Sequence, residues 1–187
     1  MSPPADAGSI LLPLARQSIA RALGEDTDVS TGASPEWLLQ PAASYVTLNL
    51  EGHPRGRTGT LRPSVPLRDD VAGNAVGAAL NDPCFSPLTR PELDAIDIEI
   101  AVLSEAERIF GASEHEVLAQ LRTGADGLAF RYGHHSGNFL PEMWAQYPDP
   151  QEFLAWLKYK SGLPPDFWAT DIELQRYTVT CWREAEH

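Results

Sequence analysis

Four arginines lie between His53 and Arg68, and this segment contains no acidic residue. It therefore has a formal charge of +4, whereas the whole chain has a net charge of −12. Guanidinium groups present paired N–H donors that suit carboxylates and phosphates, and glycines allow an anion to approach backbone N–H groups. We therefore predict a small-anion site. Its candidate ligand-binding residues are Arg55, Gly56, Arg57, Thr58, Gly59 and Arg62.

A second interpretation of the same segment needs no ligand. The arginines could form ion pairs with nearby carboxylates, including Glu51, Asp69 and Asp70, and the glycines could serve only the geometry of a turn. The sequence alone leaves both interpretations open. The segment lacks the GxxxxGK[ST] pattern of a P-loop, so it does not favour binding of a nucleoside triphosphate.

His53 and Cys84 are the candidates for catalytic chemistry near the arginines. Imidazole groups exchange protons near neutral pH, and cationic surroundings favour the thiolate form of a cysteine. His53 has no visible partner for proton transfer, and a buried, unreactive side chain after Asp82-Pro83 is the favoured interpretation of Cys84. The catalytic assignment is therefore a hypothesis for these two residues only.

The pair His134-His135 raises the question of a metal site. Adjacent side chains of a strand point to opposite faces, and neither histidine has an HxxxH or HxH partner. Cys84 and Cys181 show no CxxC spacing. We therefore expect a solvated hairpin turn at Gly133–Gly137, two free thiols, no metal and no cofactor.

Periodicity and capping residues mark the elements that would position these side chains. Residues 1–8 are expected to be disordered, and residues 25–41 have the composition of an acidic loop with an apolar anchor. The arginine segment is predicted as a loop that follows a hairpin turn. The predicted helices span residues 9–23, 66–80, 113–121 and 150–161, and the predicted strands span residues 45–50, 96–102, 128–132 and 172–182.

Two elements near the C-terminus carry predictions about burial. The helix 150–161 should turn Phe153, Trp156 and Leu157 inward because of their spacing. The strand 172–182 changes its apolar face near the middle, which is consistent with a bulge or with burial on both faces and predicts a central strand.

The order of elements indicates the fold class. Helices and strands do not alternate as regular βαβ units, so we predict an α+β fold with an antiparallel or mixed β-sheet flanked by helices. At 187 residues with 43% hydrophobic content, the chain can bury a sizeable core. Residues 9–183 are predicted to form one domain, with a division into two lobes left open.

Composition also limits the partners. A net charge of −12 repels nucleic acid and anionic membrane surfaces. No apolar run approaches the roughly 20 residues needed to span a bilayer, and the first apolar stretch has no preceding basic residue. We therefore expect a cytoplasmic protein that binds neither nucleic acid nor membrane.

Several separated phrases of the sequence resemble one family. They are Arg55-Gly56-Arg57-Thr58-Gly59, Asp82-Pro83-Cys84-Phe85 and Gly137-Asn138-Phe139-Leu140-Pro141. Together with the helix after Pro66, they resemble the AMMECR family, also called AmmeMemoRadiSam system protein A, over most of the chain. The resemblance implies two α+β subdomains, no established biochemical activity, and a MEMO-like protein and a radical-SAM protein as candidate partners.

The chain departs from the family pattern at two positions. The resemblance implies Arg-Gly-Cys-Ile-Gly at residues 55–59, where this chain has Arg57 in place of the cysteine. It also implies Asp-Pro-Arg-Phe at residues 82–85, where this chain has Cys84 in place of the arginine. An arginine and a thiol could therefore have exchanged positions between neighbouring sites. The alternative is two independent surface substitutions.

Two classes of function follow from these residues. The first is a binding or accessory module that presents the arginine-glycine segment to a small anion or an acidic partner. The second is an enzyme acting on a carboxylate- or phosphate-bearing small molecule, with Arg55 and Arg57 anchoring it and His53 or Cys84 in the chemistry.

Overall fold

The computed structural model describes residues 3–25 and 34–184. The chain divides into two compact units. The discontinuous unit contains the residues up to Leu103 and those from Thr180 onward, and the inserted unit is Ser104–Val179. Each unit has a four-stranded antiparallel sheet and its own hydrophobic core. The fold is therefore α+β, as the sequence predicts.

Within the described residues, the elements follow one another from α1 to β8. The helices are α1 (Gly8–Ala22), α2 (Glu36–Leu39), α3 (Leu67–Leu80), α4 (Arg90–Leu93), α5 (Glu114–Leu118) and α6 (Pro150–Lys160), with a 3₁₀ helix at Pro141–Ala145. The strands are β1 (Ser44–Leu50), β2 (His53–Gly59), β3 (Ile96–Leu103), β4 (Glu107–Ile109), β5 (Gly127–Tyr132), β6 (His135–Phe139), β7 (Glu173–Tyr177) and β8 (Val179–Arg183). None of the described helices is long and apolar enough to cross a membrane.

The sheet of the discontinuous unit has the strand order β2-β1-β3-β8. Alternate residues of β1 and β3 are buried, as the period of two along a strand requires. Helices α1 and α3 pack against each other and against these strands. Residues of this core include Leu11, Ile19, Val46, Leu48, Val71, Ala75, Ile98 and Ile100.

The sheet of the inserted unit has the strand order β4-β7-β5-β6. Its core is rich in aromatic rings, and Trp144 stacks on Phe153 with 3.8 Å between the ring centroids. Asp149 caps α6 by accepting hydrogen bonds from the amides of Gln151 and Glu152, as the sequence predicts. Residues of this core include Ile109, Leu128, Phe130, Phe139, Leu154, Leu157 and Leu174.

The predicted C-terminal strand 172–182 is wrong as a single element. The chain forms β7 within the inserted unit's sheet and then β8 at the edge of the other sheet. This division explains the change of apolar face, because each segment buries side chains in a different core. The short strand β4 and the short helix α4 were not predicted, since three or four residues give no measurable periodicity.

Other predicted segments also differ in detail. Trp156 is 46% exposed rather than inward-facing. Ala5–Ala7 form a turn and Ala7 is 1% exposed, whereas the sequence predicts disorder over residues 1–8. In the predicted loop 25–41, residues 26–33 lie outside the described residues, and Leu38 supplies the expected apolar anchor at 5% exposure.

Candidate functional site

The predicted arginine loop is a strand in the structure. Residues His53–Gly59 form β2, which is the edge strand of its sheet and pairs antiparallel with β1. The sequence concealed this strand because its alternating residues are glycine, threonine and arginine rather than apolar side chains. The connection from β2 to α3 runs from Thr60 to Pro66 and contains Arg62. The candidate residues 55–59 therefore lie in a strand, whereas Arg62 lies in the connection.

Arg55 is held by internal contacts. Its Nε donates to Glu92 Oε1 at 2.9 Å and its Nη2 donates to Glu92 Oε2 at 3.2 Å. Its Nη1 donates to the carbonyl of Ser86 at 2.9 Å, and its side chain is only 11% exposed. The guanidinium also lies over the ring of Phe85, 6.0 Å from the centroid. Arg55 is thus an internal ion-pair residue, as the second interpretation of the segment requires, although its partner is a distant glutamate.

Glu92 completes this cluster at the start of α4. The hydrogen bonds from Arg55 and from Thr89 lower the pKa of the Glu92 carboxyl from 4.5 to about 2. Thr89 donates through both its hydroxyl and its amide, at 2.7 and 2.8 Å, in a capping box. The cluster therefore fixes the connection between α3 and α4 against β2.

Arg57 has different surroundings. It is exposed, and its guanidinium lies over the ring of Tyr45, 5.3 Å from the centroid. Its amide donates to Asp82 Oδ2 at 2.8 Å. Thr47 of β1 is its partner in the sheet register. The backbone of Arg57 is therefore fixed while its charged group is at the surface.

The carboxylate of Asp82 connects the two positions that depart from the family pattern. Its Oδ2 accepts from the amide of Arg57 and its Oδ1 accepts from the amide of Cys84, both at 2.8 Å. These contacts place the Cα atoms of Arg57 and Cys84 within roughly 11 Å of each other. The two sites are neighbours, which the exchange hypothesis requires. The same carboxylate occupies the amide groups that an external anion would need.

The glycines of β2 serve close packing. A Cβ atom on Gly56 would lie 2.1 Å from the carbonyl oxygen of Ala78 in α3, and a Cβ atom on Gly59 would lie 2.2 Å from the ring of Tyr45. Thr58 faces Gly77 of α3, where an added Cβ atom would lie 2.9 Å from the Thr58 methyl group. These contacts account for the three residues without a bound anion.

The remaining arginines of the segment lie at the surface. Arg62 is exposed and has no ion pair or hydrogen bond with any residue in the described ranges. Arg68 forms an exposed pair with Asp69 at 3.3 Å, of the kind the second interpretation predicts. Pairs of this kind contribute roughly 0–1 kcal/mol to stability.

Asp70 is the center of a buried polar cluster that the sequence did not reveal. It is 4% exposed and accepts hydrogen bonds from the hydroxyls of Ser44 at 2.6 Å and Thr60 at 2.7 Å. The amide of Ser44 and the side-chain amide of Asn74 also donate to it, at 2.8 and 3.0 Å. The cluster joins α3 to β1 and to the end of β2. The second interpretation predicted that Asp70 pairs with the arginines. That prediction is wrong, because Asp70 is buried and accepts hydrogen bonds from Ser44, Thr60 and Asn74 instead.

The two candidates for chemistry lie at the surface. His53 begins β2 and is exposed. Cys84 is also exposed, so the prediction of a buried thiol is wrong. The amide of Cys84 donates a hydrogen bond to Asp82 Oδ1. This bond forms a turn, and the turn keeps the Cys84 side chain outside the core. Neither side chain has a hydrogen-bond partner among the described residues, so the structure assembles no catalytic pair around them.

The histidine pair lies at the turn between β5 and β6. His134 and His135 have ring centroids 4.1 Å apart, and His135 Nδ1 lies 2.9 Å from the carbonyl oxygen of Ser161. The predicted turn Gly133–Gly137 is shorter than expected, because β6 begins at His135. Across residues 3–25 and 34–184, no group of three or more His, Cys, Asp or Glu side chains could hold a metal ion.

Comparisons with known proteins place the chain among relatives of similar length. A family model described as AMMECR1 matches residues 12–182. A protein of Thermococcus onnurineus is 37% identical over 186 residues, covering 95% of this chain and 90% of that protein. The protein PH0010 of Pyrococcus horikoshii is 33% identical over 186 residues, covering 95% of this chain and 89% of that protein. A crystal structure of uncharacterized protein PH0010 has a TM-score of 0.81 and 31% identity, covering 95% of this chain and 91% of that chain.

Proposed function

The chain belongs to the AMMECR1 family, and we propose that it acts as a binding or accessory module. In this proposal, the exposed arginines on and just after β2 contact an acidic surface of a partner protein. Arg57 and Arg62 are the contact residues, whereas Arg55 positions the strand through Glu92. The names of the relatives described above state no activity, so the proposal depends on the geometry.

The observation that carries the proposal is the position of Arg57. Its amide is fixed by Asp82 and its side chain is exposed beside Tyr45 on an edge strand. Because the backbone is already fixed, binding a carboxylate costs only the freedom of the arginine side chain and none of the backbone. Small-molecule sites are usually concave, so an exposed strand favours a protein surface over a small anion.

The positive charge of the arginine segment would attract and orient an acidic partner. Residues 53–68 have a formal charge of +4 within a chain of −12, and Glu92 and Asp69 balance two of these four charges. A local positive region on an acidic protein can orient an acidic partner during encounter, and salt weakens this effect. A MEMO-like protein and a radical-SAM protein are candidate partners through the family, and surface carboxylates would be the groups recognised.

The experiment compares binding of defined acids by calorimetry. The probes are a ten-residue glutamate peptide, representing an acidic surface, and inorganic phosphate, representing a small anion. Arg57→Ala should weaken peptide binding at least several-fold, because one charge-assisted contact contributes roughly 1.5–3 kcal/mol. Arg68→Ala is the matched control, since it removes the same charge from an exposed position outside the proposed contact.

Three results would decide the proposal. Equal affinity in the wild type and in Arg57→Ala would remove Arg57 as a contact residue. Binding of phosphate but not of the peptide would favour the small-anion alternative. Product formation from a carboxylate or phosphate substrate that depends on His53 or Cys84 would favour an enzyme instead.

A further inference from the structure

The sheet of the inserted unit has one face that carries polar side chains. Residues alternate between the two faces of a strand, and Ile109, Leu174 and Phe130 lie in the core. Their neighbours in sequence therefore lie on the opposite face. Among the residues of this outer face are Arg108, Glu173, Gln175, Arg131 and Ser136.

Two arginines on this face share one carboxylate. Arg131 is the register partner of Glu173, and its Nε lies 3.7 Å from Glu173 Oε2. Arg108 lies on the neighbouring strand, and its Nη2 is 3.8 Å from Glu173 Oε1. Both distances exceed those of a hydrogen bond. Within the described ranges, Glu173 is the only carboxylate paired with either guanidinium.

Both guanidinium groups lie at the surface. Neither donates a hydrogen bond to a residue of the described part of the chain, and their side chains are 51% and 54% exposed. Exposed pairs of this length contribute roughly 0–1 kcal/mol to stability. Stability of the sheet therefore does not explain why two arginines surround a single glutamate.

An exposed aromatic ring lies beside this pair. Phe110 follows β4 directly and is 69% exposed, the highest exposure among the large hydrophobic side chains of the described residues. The guanidinium of Arg108 lies over its ring, 5.1 Å from the centroid. The same guanidinium lies 3.8 Å from Glu173 Oε1, so Arg108 joins the ring to the carboxylate that Arg131 also approaches.

We propose that Arg108, Arg131 and Phe110 form a docking face for an acidic segment of a partner protein that also carries an apolar side chain. Arg108, Arg131 and Glu173 together have a net charge of +1, whereas the whole chain has a net charge of −12. Guanidinium forks at the surface fit carboxylates, and the ring provides apolar area for a neighbouring side chain.

The test measures binding of a labelled peptide by fluorescence anisotropy. The probe is a ten-residue glutamate peptide with one central phenylalanine. The double variant Arg108→Gln with Arg131→Gln should weaken binding at least about ten-fold, since two charge-assisted contacts are removed. Phe110→Ala should reduce affinity for this peptide but not for the same peptide with alanine in place of phenylalanine.

Each variant is made in a background that already carries Arg57→Gln and Arg62→Gln, so that the peptide cannot use the surface around β2. The matched control is the double variant Arg21→Gln with Arg68→Gln, which also removes two positive charges, at exposed positions that neither proposal uses. Binding that persists in the background and in the control but is lost in the Arg108/Arg131 variant would support the docking face. Equal loss in the control would indicate general electrostatic attraction and would overturn the inference. Absence of binding in the background would also overturn it, while leaving the function proposed for β2 intact.

Glu173→Gln provides a test with the opposite sign. If the arginines serve an external carboxylate, removing the internal one should raise affinity for the peptide at least two-fold. An unchanged or lower affinity would contradict the docking face, because the arginines would then need Glu173 in place. Binding of the glutamine version of the peptide with equal affinity, or self-association of the chain through this face in sedimentation, would also overturn the proposal.

Discussion

Arg55 and Arg57 are two positions apart in β2, yet one is enclosed and the other is exposed. The register of β1 with β2 explains the difference. Gly56 is the partner of Leu48, whereas Pro54 is the partner of Asn49, so Arg55 has no partner on β1. Such a bulge redirects a side chain. Arg55 reaches Glu92 from this position, and Arg57 keeps its place in the regular ladder.

The Glu92 cluster predicts a dependence of stability on pH. Its folded-state pKa of about 2 is below the ordinary value of 4.5, chiefly because Arg55 donates to the carboxylate. The stabilisation should be complete above about pH 4.5 and should be lost as the pH falls through about 2. Glu92→Gln should lower the free energy of unfolding by about 1–3 kcal/mol at pH 7. Urea unfolding between pH 7 and pH 2.5 should show this difference shrinking as the pH falls.

Glu152→Gln is the control for this measurement. Its carboxylate is exposed on α6 and has no ion pair in the part of the chain that the structure describes. Its unfolding free energy should follow that of the wild type across the whole range. A difference for Glu92→Gln that stays constant from pH 7 to pH 2.5 would contradict the assigned cluster.

The neighbouring positions Arg57 and Cys84 predict energetic coupling. Because Asp82 joins their amides, a change at one position should alter the surroundings of the other. The double variant Arg57→Cys with Cys84→Arg should lose less stability than the sum of the two single variants, by at least about 0.5 kcal/mol. Denaturant unfolding of all four proteins measures this term. Additive losses would leave the sites as neighbours without an exchange.

At this scale, the sequence shows where the arginines lie but not what they contact. The run of arginines without acids is visible directly, whereas its role in binding stays a prediction. The partner of Arg55 is Glu92, 37 positions away. Such a distance in sequence has no local pattern, and neither has the buried cluster around Asp70. Exposure of Cys84 depends on a side-chain bond from Asp82, which periodicity does not describe.

The packing of β2 on α3 is the central contact between elements near the candidate site. Gly56 and Gly77 let the strand approach the helix backbone. The sequence shows small residues along α3 and predicts close packing, but it assigned the glycines of β2 to turns or anion binding. Which element approaches a glycine depends on the tertiary arrangement, so the glycine alone could not reveal it.

This contact predicts opposite effects for two glycine-to-alanine changes. Gly56→Ala should lower the free energy of unfolding by about 1–3 kcal/mol, because its Cβ atom would collide with the carbonyl of Ala78. Gly73→Ala in α3 should raise it by about 0.5–1 kcal/mol, since its Cβ atom would meet nothing within 4 Å and alanine favours helices. Urea unfolding with circular dichroism measures both, and a stable Gly56→Ala would contradict the close contact.

At the scale of the whole molecule, the discontinuous unit is closed by the C-terminal part of the chain. Glu184 follows β8 and accepts from Arg16 Nε at 2.9 Å and Nη2 at 2.5 Å, and from the amide of Ile98 at 2.9 Å. Arg16 also donates to the carbonyl of Leu93. The hydrogen bond with Glu184 raises the pKa of Arg16 further above its ordinary value. One carboxylate thus joins α1, β3 and β8.

Glu184→Gln should therefore lower the stability of this unit. We expect a loss of about 1–3 kcal/mol, because the partly buried Arg16 would lose a charged acceptor. Glu107→Gln is the control, since it removes one member of a pair whose glutamate is 66% exposed. Thermal unfolding followed by circular dichroism gives both values. Equal effects of the two substitutions would contradict the joining role of Glu184.

The position of β8 has a consequence for synthesis on the ribosome. The inserted unit is one continuous stretch, Ser104–Val179, so all of its strands emerge together. The sheet of the discontinuous unit must wait for β8, although β1, β2 and β3 emerge first. At about 5–20 residues per second, the wait lasts roughly 4–16 s. During that interval the nascent chain presents the unpaired edge of β3, a surface that chaperones bind and that neighbouring nascent chains can pair with.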